Sequence, residues 1–421
     1  MSRSAIGRIL LCAALGSGAT GALPRGDETS VRAQREETRT VRPEVGIPAR
    51  AAIELLRGGR AKEALAKLGE ADAVRDKSPY ETYLIERLRA QAMAAAGNAR
   101  GASRAFEKAA ALPAAPQSEI ADLHAGAAGQ YFLAKEFAKC ADAAERYFRE
   151  GGSDGSMRTL YARALYLGGE GARLARAVRA DEDAGKRPDE ETLRLLADLY
   201  ARQHDDAQRG EALEKLLVHY PKPEYWSEAI DGLAASDRFP ARLALDAVRL
   251  KYVVGALRTA DDYVAAARLA LQENMPGEAQ RVIERGYAVR VLGKGKDTER
   301  HRRLRSLTAG ELGEERKRLA SASQDSPAAG VADARFDDGL RILLEGDVER
   351  GLAMMEKALA RGGLAFADDA RLRLAYAYYL AHRAERSVQV LQPLTQSTDS
   401  AVAALARLWT IFLAAHDRSA G

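Results

Sequence analysis

Residues Val331–Arg361, VADARFDDGLRILLEGDVERGLAMMEKALAR, give the clearest indication of the fold of this 421-residue chain. Apolar residues recur at helical spacing on both sides of Gly346-Asp347, a dipeptide that favours a turn between two helices. Small or apolar residues mark one face of each helix: Gly339 and Ile342 on the first, and Gly351, Met355 and Ala358 on the second. The stretch therefore predicts a pair of antiparallel helices. Such a pair must stack on neighbouring pairs, because it cannot bury its apolar face alone.

The composition favours an all-helical chain. Hydrophobic residues make up 47% of the sequence, but much of this fraction is alanine, and aromatic residues make up only 6%. Alanine-rich helices can pack closely through their small side chains. Alternating stretches of Val, Ile, Thr and Tyr, which are typical of strands, are essentially missing, so we expect almost no sheet.

Further copies of the helix pair occur along the chain. One opens with Ser78-Pro79-Tyr80-Glu81, where serine and glutamate form a capping box and proline suits the first helical turn, and it turns at Gly97-Asn98. Others cover Glu119–Arg149, Asp189–Tyr220 and Thr259–Val289. The copies are about 34 residues apart, the spacing expected of a two-helix repeat.

These pairs resemble the tetratricopeptide repeat (TPR) family over most of residues 48–396. The resemblance implies an all-α, right-handed α-α superhelix of about eight to nine helix pairs, with a C-terminal capping helix at Asp399–His416. It also implies that the first helices line a concave groove, which receives a peptide or a partner protein. Cys140 falls where the family has a small packing alanine, so we expect a buried thiol.

The sequence predicts five segments. They are a signal peptide at 1–22, a flexible linker at 23–47, an N-terminal TPR-like array at 48–292, a basic spacer helix at 293–327, and C-terminal TPR-like repeats with the capping helix at 328–416. The spacer interrupts the repeat spacing and opens with a basic run at 294–305.

The first residues predict export to the periplasm. Arg3 and Arg8 supply positive charge, Ile9–Leu15 is apolar, and small residues suit cleavage near Gly21-Ala22. The alternative is a disordered or helical N-terminus, since Arg8 interrupts the apolar run. No other apolar run approaches the ~20 residues of a membrane helix, so we expect no membrane segment after signal removal.

The repeat frame predicts the side chains that face the groove. They are Phe132, Arg194, Asp198, Arg202, Arg268, Tyr376 and Tyr379. Aromatic and arginine side chains are frequent anchors of protein interfaces, because they combine a large contact area with directional bonds. The alternative for Tyr376 and Tyr379 is packing between repeats.

The sequence indicates neither catalysis nor a cofactor. Six histidines are scattered along the chain, outside any HExxH motif or spaced Cys/His set, so no metal site is predicted. The glycine-containing stretch 292–298 departs from a Walker loop, because Asp297 follows Lys296 where serine or threonine is needed. Paired carboxylates occur at helix starts, where they complement the helix dipole.

The charge balance bears on the class of partner. A net charge of +4 arises from 64 basic and 60 acidic residues, which argues against a dedicated nucleic-acid binder. The basic run at 294–305 is an alternative binding surface for an anionic partner. The favoured hypothesis is a non-enzymatic periplasmic scaffold that binds a protein or peptide, as in an envelope assembly or a TonB-type transport system. The rival hypothesis is a glycan-handling module that works with a separate enzyme.

Overall fold

A computed structural model describes residues 40–321 and 331–420. The predicted signal peptide, most of the predicted linker and residues 322–327 of the predicted spacer lie outside the described residues. Over the described ranges the chain forms twenty α-helices and no strand. It divides into two compact units, one ending at Ala164 and the other beginning at Leu165.

The first unit contains six complete helices and most of a seventh. They are α1 (Pro43–Arg57), α2 (Ala61–Asp72), α3 (Pro79–Ala95), α4 (Ala99–Ala111), α5 (Gln117–Leu133), α6 (Phe137–Arg149) and α7 (Gly155–Leu167), within which the boundary falls. Each helix packs against the next from α1 to α6, and α1 also packs against α3, so neighbouring pairs are stacked.

The second unit continues the same order. Its described helices are α8 (Gly171–Asp183), α9 (Glu190–Arg202), α10 (Asp206–His219), α11 (Pro223–Ala234), α12 (Ala244–Val253), α13 (Ala260–Gln272), α14 (Pro276–Ala288), α15 (Thr298–Ser321), α16 (Val331–Leu344), α17 (Val348–Arg361), α18 (Ala367–Leu380), α19 (Ala384–Leu394) and α20 (Ser400–Ala420). Within this unit, each of α9–α10, α11–α12, α13–α14, α16–α17 and α18–α19 forms a pair of packed helices. The predicted all-α architecture of paired helices is confirmed.

Helices α16 and α17, which correspond to the predicted pair at Val331–Arg361, approach each other closely at two glycines. A Cβ atom added to Gly351 would lie 2.6 Å from the carbonyl oxygen of Gly339 and 2.7 Å from the backbone nitrogen of Leu343. Only glycine allows the backbones of α16 and α17 to approach so closely. Met355 and Leu340, also in this pair, are fully buried.

The turns within pairs share a left-handed residue. It is Gly97 in the α3–α4 turn, but Lys135 (φ 59°) and His382 (φ 58°) in the α5–α6 and α18–α19 turns. In each turn the next residue returns a backbone hydrogen bond to the first helix, as Glu136 N–H does to the Tyr131 carbonyl at 2.9 Å. The turn geometry is therefore retained where glycine, its usual signal in sequence, has been replaced.

The array begins earlier than the sequence predicted. Helix α1 starts at Pro43 rather than Pro48, so residues 43–47 belong to the stack and not to a linker. Val45 is fully buried, and the buried carboxylate of Glu81 accepts bonds from the backbone N–H and the guanidinium of Arg42. Hydrogen bonding to Arg42 holds the pKa of Glu81 at about 2. These long-range partners order a segment whose own composition resembles a linker.

The last helix does more than cap the stack. Besides its neighbours α18 and α19, α20 packs against α10 and α12. The Arg407 Nε lies 2.8 Å from a Glu214 carboxylate oxygen, and the rings of Trp226 and Phe412 are 6.3 Å apart. The C-terminal repeats are thus joined to the middle of the second unit. The predicted spacer lies within this unit, where α15 packs on α13 and α14. No helix in the described part of the chain is both long and apolar enough to cross a membrane.

Candidate partner-binding surface

Helix α9 carries three of the predicted groove residues on one exposed face. The helix begins where the Asp189 carboxylate accepts a bond from the Thr192 N–H at 3.0 Å, and its opposite face is buried through Leu193, Leu196, Ala197 and Tyr200. Arg194, Asp198 and Arg202 follow one another at intervals of about one turn and are exposed. The amphipathic pattern of α9 therefore fixes which of its side chains face outward.

Tyr166, in the last turn of α7, completes a bonded cluster with two of these residues. Its hydroxyl donates to the Asp198 carboxylate, and the Arg202 guanidinium lies 4.8 Å from the centre of its ring. Arg202 Nε is also 2.9 Å from Asp198, and these two side chains are 65% and 52% exposed. The bond to Asp198 raises the pKa of Tyr166. We call Tyr166, Arg194, Asp198 and Arg202 the α9 surface.

The sequence analysis missed Tyr166, although the repeat spacing contains a signal for it. Tyr166 and Asp198 are 32 residues apart, close to one repeat. The same kind of contact recurs from α9 to α11, where Glu190 accepts bonds from Lys222 Nζ at 2.6 Å and from the Tyr225 hydroxyl. Bonding to Lys222 lowers the pKa of Glu190. Polar pairs one repeat apart therefore hold the first helices of this region together.

Tyr376 and Tyr379 lie elsewhere, against the C-terminal helix. Tyr376 is buried, with its ring 5.9 Å from the Trp409 ring and 5.5 Å from the Arg249 guanidinium, and burial raises its pKa. Tyr379 is half-buried, 5.7 Å from Trp409 and 5.4 Å from Phe412. Both tyrosines thus take the alternative position, packed between helices. We do not include them in the α9 surface.

The remaining two predicted residues are also apart from this cluster. Phe132 belongs to the first unit, where it is half-buried and meets Phe137 edge to face at 5.6 Å. Arg268 is exposed on α13. The structure therefore brings together Arg194, Asp198 and Arg202, and separately Tyr376 and Tyr379.

Two side chains of chemically reactive types, Cys140 and His301, are buried. Cys140 is fully buried, and burial raises the pKa of its thiol to about 12, so it is not a nucleophile at neutral pH. His301 is buried and accepts a hydrogen bond from the Gly293 N–H at 3.2 Å. Within the described ranges, the side chains of His, Cys, Asp and Glu form no group of three placed to hold a metal ion.

The basic run of the spacer is exposed and partly neutralised. Arg302 pairs with Glu299 one turn away, and Arg305 lies 2.5 Å from Glu284 while stacking over the Tyr287 ring at 4.6 Å. Exposed pairs of this kind contribute little to stability. The run remains a second candidate surface beside the α9 surface.

Comparisons with known proteins gave matches only among solved structures. No protein-family model matches the chain, and a search of curated proteins gave no significant match. Among solved structures, the P58(IPK) TPR domain aligns over 88% of this chain and 99% of its own, at 12% identity and a TM-score of 0.24.

Two further solved structures align at similar values. Yeast Tom70 covers 89% of this chain and 97% of its own, at 9% identity and a TM-score of 0.25. The APC/C hetero-tetramer Cut9-Hcn1 covers 86% and 83%, at 12% identity and a TM-score of 0.21. Because these scores are low, the assignment of the fold rests on the paired helices and turns of this chain itself.

Proposed function

We propose that this protein is a non-enzymatic scaffold that binds a protein or peptide through the α9 surface. The observation that carries the proposal is the cluster of Tyr166, Asp198 and Arg202, whose members are held by mutual bonds and whose two charged side chains are exposed. Side chains that are already ordered lose less conformational entropy on binding. Tyrosine and arginine are also the residue types that most often dominate binding energy.

The charge of the surface indicates the chemistry of the partner. Asp198 neutralises Arg202, whereas Arg194 adds a further positive charge one turn earlier on the helix. Arginine binds carboxylates through two parallel hydrogen bonds, so a partner carboxylate beside an apolar group that covers the Tyr166 ring fits the arrangement. The partner is accordingly proposed to be a protein segment with an acidic residue.

Photo-crosslinking from the surface tests this proposal. p-Benzoylphenylalanine replaces Arg194 in one variant and Glu385, which is exposed on α19, in the control. Irradiation in cells should give a crosslinked protein adduct at position 194 and not at 385. The same adducts from both positions, or none from position 194, would refute the assignment.

We also propose that the scaffold acts in the periplasm, in an envelope assembly or a TonB-type transport system. The support is the export-signal pattern of residues 1–22. Cell fractionation and N-terminal sequencing test this, with a mature N-terminus expected near Ala22 in the periplasmic fraction. Recovery of an uncleaved chain in the cytoplasm would contradict it.

A further inference from the structure

The basic run at 294–305 accounts for the whole excess of positive charge in this chain. It contains six basic residues and two acidic ones. They are Lys294, Lys296, Arg300, Arg302, Arg303 and Arg305, with Asp297 and Glu299. The whole chain has 64 basic and 60 acidic residues, so the rest of it carries 58 of each. A surface that concentrates one sign of charge attracts partners of the opposite sign.

Four of the six basic side chains have no carboxylate partner within the protein. Lys294 and Lys296 lie between α14 and α15, Arg300 and Arg303 lie in the first two turns of α15, and all four are exposed. Across residues 40–321 and 331–420, the structure records no ion pair for these four. The other two basic residues of the run are paired with carboxylates. The four cations are therefore available to an external anion.

The turn that carries the two lysines is fixed to the start of α15. The Gly293 N–H donates to Nδ1 of the buried His301 at 3.2 Å, and the Thr298 hydroxyl donates to the Gly295 carbonyl at 2.8 Å. Leu292, which precedes the turn, is buried. The lysines therefore extend from an anchored backbone next to the two arginines, and the four charges act together.

The face of α15 that carries the two arginines also carries an apolar side chain. Leu307 follows Arg300 by seven residues and Arg303 by four, so the three side chains point to one side of the helix. Leu307 is 50% exposed. Cations beside an exposed apolar side chain are typical of helices that lie at a membrane surface. We call Lys294, Lys296, Arg300, Arg303 and Leu307 the α15 surface.

The basic run lacks the aromatic rings on which nucleic-acid bases stack. Residues 294–305 contain no Phe, Trp or Tyr. The nearest aromatic residue in the sequence is Tyr287, and the guanidinium of Arg305 stacks over its ring at 4.6 Å. Anionic phospholipid requires only clustered cations, and clusters of about four to eight Lys and Arg residues recognise it. The chemistry of the run therefore favours a lipid surface over a nucleic acid.

We propose that the α15 surface binds a membrane that contains anionic phospholipid. The four cations pair with headgroup phosphates, and Leu307 enters the boundary between the headgroups and the acyl chains. The contact is peripheral, since a single apolar side chain enters the lipid. The α15 surface shares no residue with the α9 surface, and the proposal does not rest on the function proposed for that surface.

Sedimentation with lipid vesicles tests the proposal on the full chain. Vesicles of phosphatidylcholine alone measure binding that needs no anionic lipid, and vesicles with about one-third phosphatidylglycerol supply negative charge. At about 0.1 M NaCl the chain should bind the anionic vesicles roughly tenfold more strongly or better, and this preference should be lost at about 1 M. Equal binding to both kinds of vesicle at low salt would overturn the proposal. Binding to duplex DNA without binding to the anionic vesicles would also overturn it.

Paired charge reversals locate the site. Arg300→Glu combined with Arg303→Glu should weaken binding to the anionic vesicles by roughly twentyfold or more. The control, Lys357→Glu with Arg361→Glu on α17, changes the net charge equally at exposed positions. It should weaken binding by less than about threefold, since salt screens charges outside the contact. Tryptophan fluorescence verifies that both variants keep the fold, and equal weakening in both would show non-specific attraction and refute the site.

A further substitution tests the apolar part of the contact. Leu307→Ser should weaken binding to the anionic vesicles by roughly threefold or more, because less apolar surface leaves water. Leu133→Ser is the matched control, since this leucine is 56% exposed and lies on α5 in the first unit. It should leave vesicle binding unchanged. Equal effects of the two substitutions, or no effect of Leu307→Ser, would contradict insertion of this face into lipid.

Discussion

Single residues at helix contacts determine how closely the repeats can pack. Gly351 and Gly339 are in backbone contact across α16 and α17, where any Cβ atom would meet backbone atoms within 2.9 Å. By contrast, a Cβ atom on Gly210 in α10 would meet nothing within 4 Å. Gly351 and Gly210 both lie on helices of the second unit. A comparison of substitutions at the two glycines therefore separates the effect of crowding from the effect of helix propensity.

Gly351→Ala should destabilise the second unit by about 3 kcal/mol, because the helices must move apart. Gly210→Ala should instead stabilise it by about 0.5–1 kcal/mol through better helix propensity. Both tryptophans, Trp226 and Trp409, lie in this unit, so urea denaturation followed by their fluorescence measures the change. Equal effects of the two substitutions would contradict the close contact.

The buried carboxyl of Glu315 should make the free energy of unfolding depend on pH. Its pKa is raised from 4.5 to about 7, so the folded state holds this proton to higher pH than the unfolded state. Ionisation then favours unfolding, and the contribution of Glu315 to stability decreases as the pH rises through about 7.

The difference in unfolding free energy between wild type and Glu315→Gln should therefore decrease by about 2–3 kcal/mol from pH 5 to pH 8. The amide cannot ionise, so the variant lacks this dependence. Urea denaturation at several pH values measures it. A constant difference over this range would show that Glu315 has an ordinary pKa.

At the scale of elements, the helix pairs could be predicted because their signals are local. Apolar spacing and capping boxes identify helices, and Ser78 and Glu81 form the predicted box. The turns were less predictable, because Lys135 and His382 adopt the left-handed backbone conformation for which glycine is the usual sequence signal. The start of α1 was misplaced because its partner, Glu81, is 39 residues away.

The left-handed turns predict opposite effects for two substitutions. His382→Gly should stabilise the second unit by about 0.5–1 kcal/mol, since glycine removes the strain at a cost in unfolded-chain entropy. Gly346→Ala, at the matching turn with φ 104°, should destabilise it by about 1–2 kcal/mol. Thermal unfolding followed by fluorescence compares them. Destabilisation by His382→Gly would contradict the turn geometry.

At the scale of the whole molecule, contacts distant in sequence escape prediction from spacing. Arg407 and Glu214 are 193 residues apart, and Arg242 and Asp369 are 127 apart. No repeat spacing links such positions. The sequence therefore predicted α20 only as a cap, whereas this helix packs against the middle of the second unit. The candidate site was only partly predictable. Arg194, Asp198 and Arg202 share one helix face, which the spacing predicts, whereas Tyr166 comes from a different helix, α7.

Substitution of Arg242 tests how much these long-range contacts contribute to stability. Its Nε lies 2.8 Å from the buried carboxylate of Asp369, and it also bonds Asp399 before α20. Arg242→Ala should destabilise the second unit by about 3 kcal/mol, because it leaves a buried charge without its main partner. Arg371→Ala, whose pair with Asp368 is solvent-exposed, should cost about 1 kcal/mol or less. Similar costs in urea denaturation would contradict the joining contact.

The proposed function requires the α9 surface to bind a protein partner. Quantitative affinity purification compares the wild-type chain with Arg194→Glu/Arg202→Glu and with a matched control, Arg300→Glu/Arg303→Glu, on the exposed basic run of α15. We predict that proteins enriched by the wild type are lost with the α9 variant and retained with the α15 control. Retention of the same proteins by the α9 variant, or their loss from the α15 control alone, would refute binding through the α9 surface.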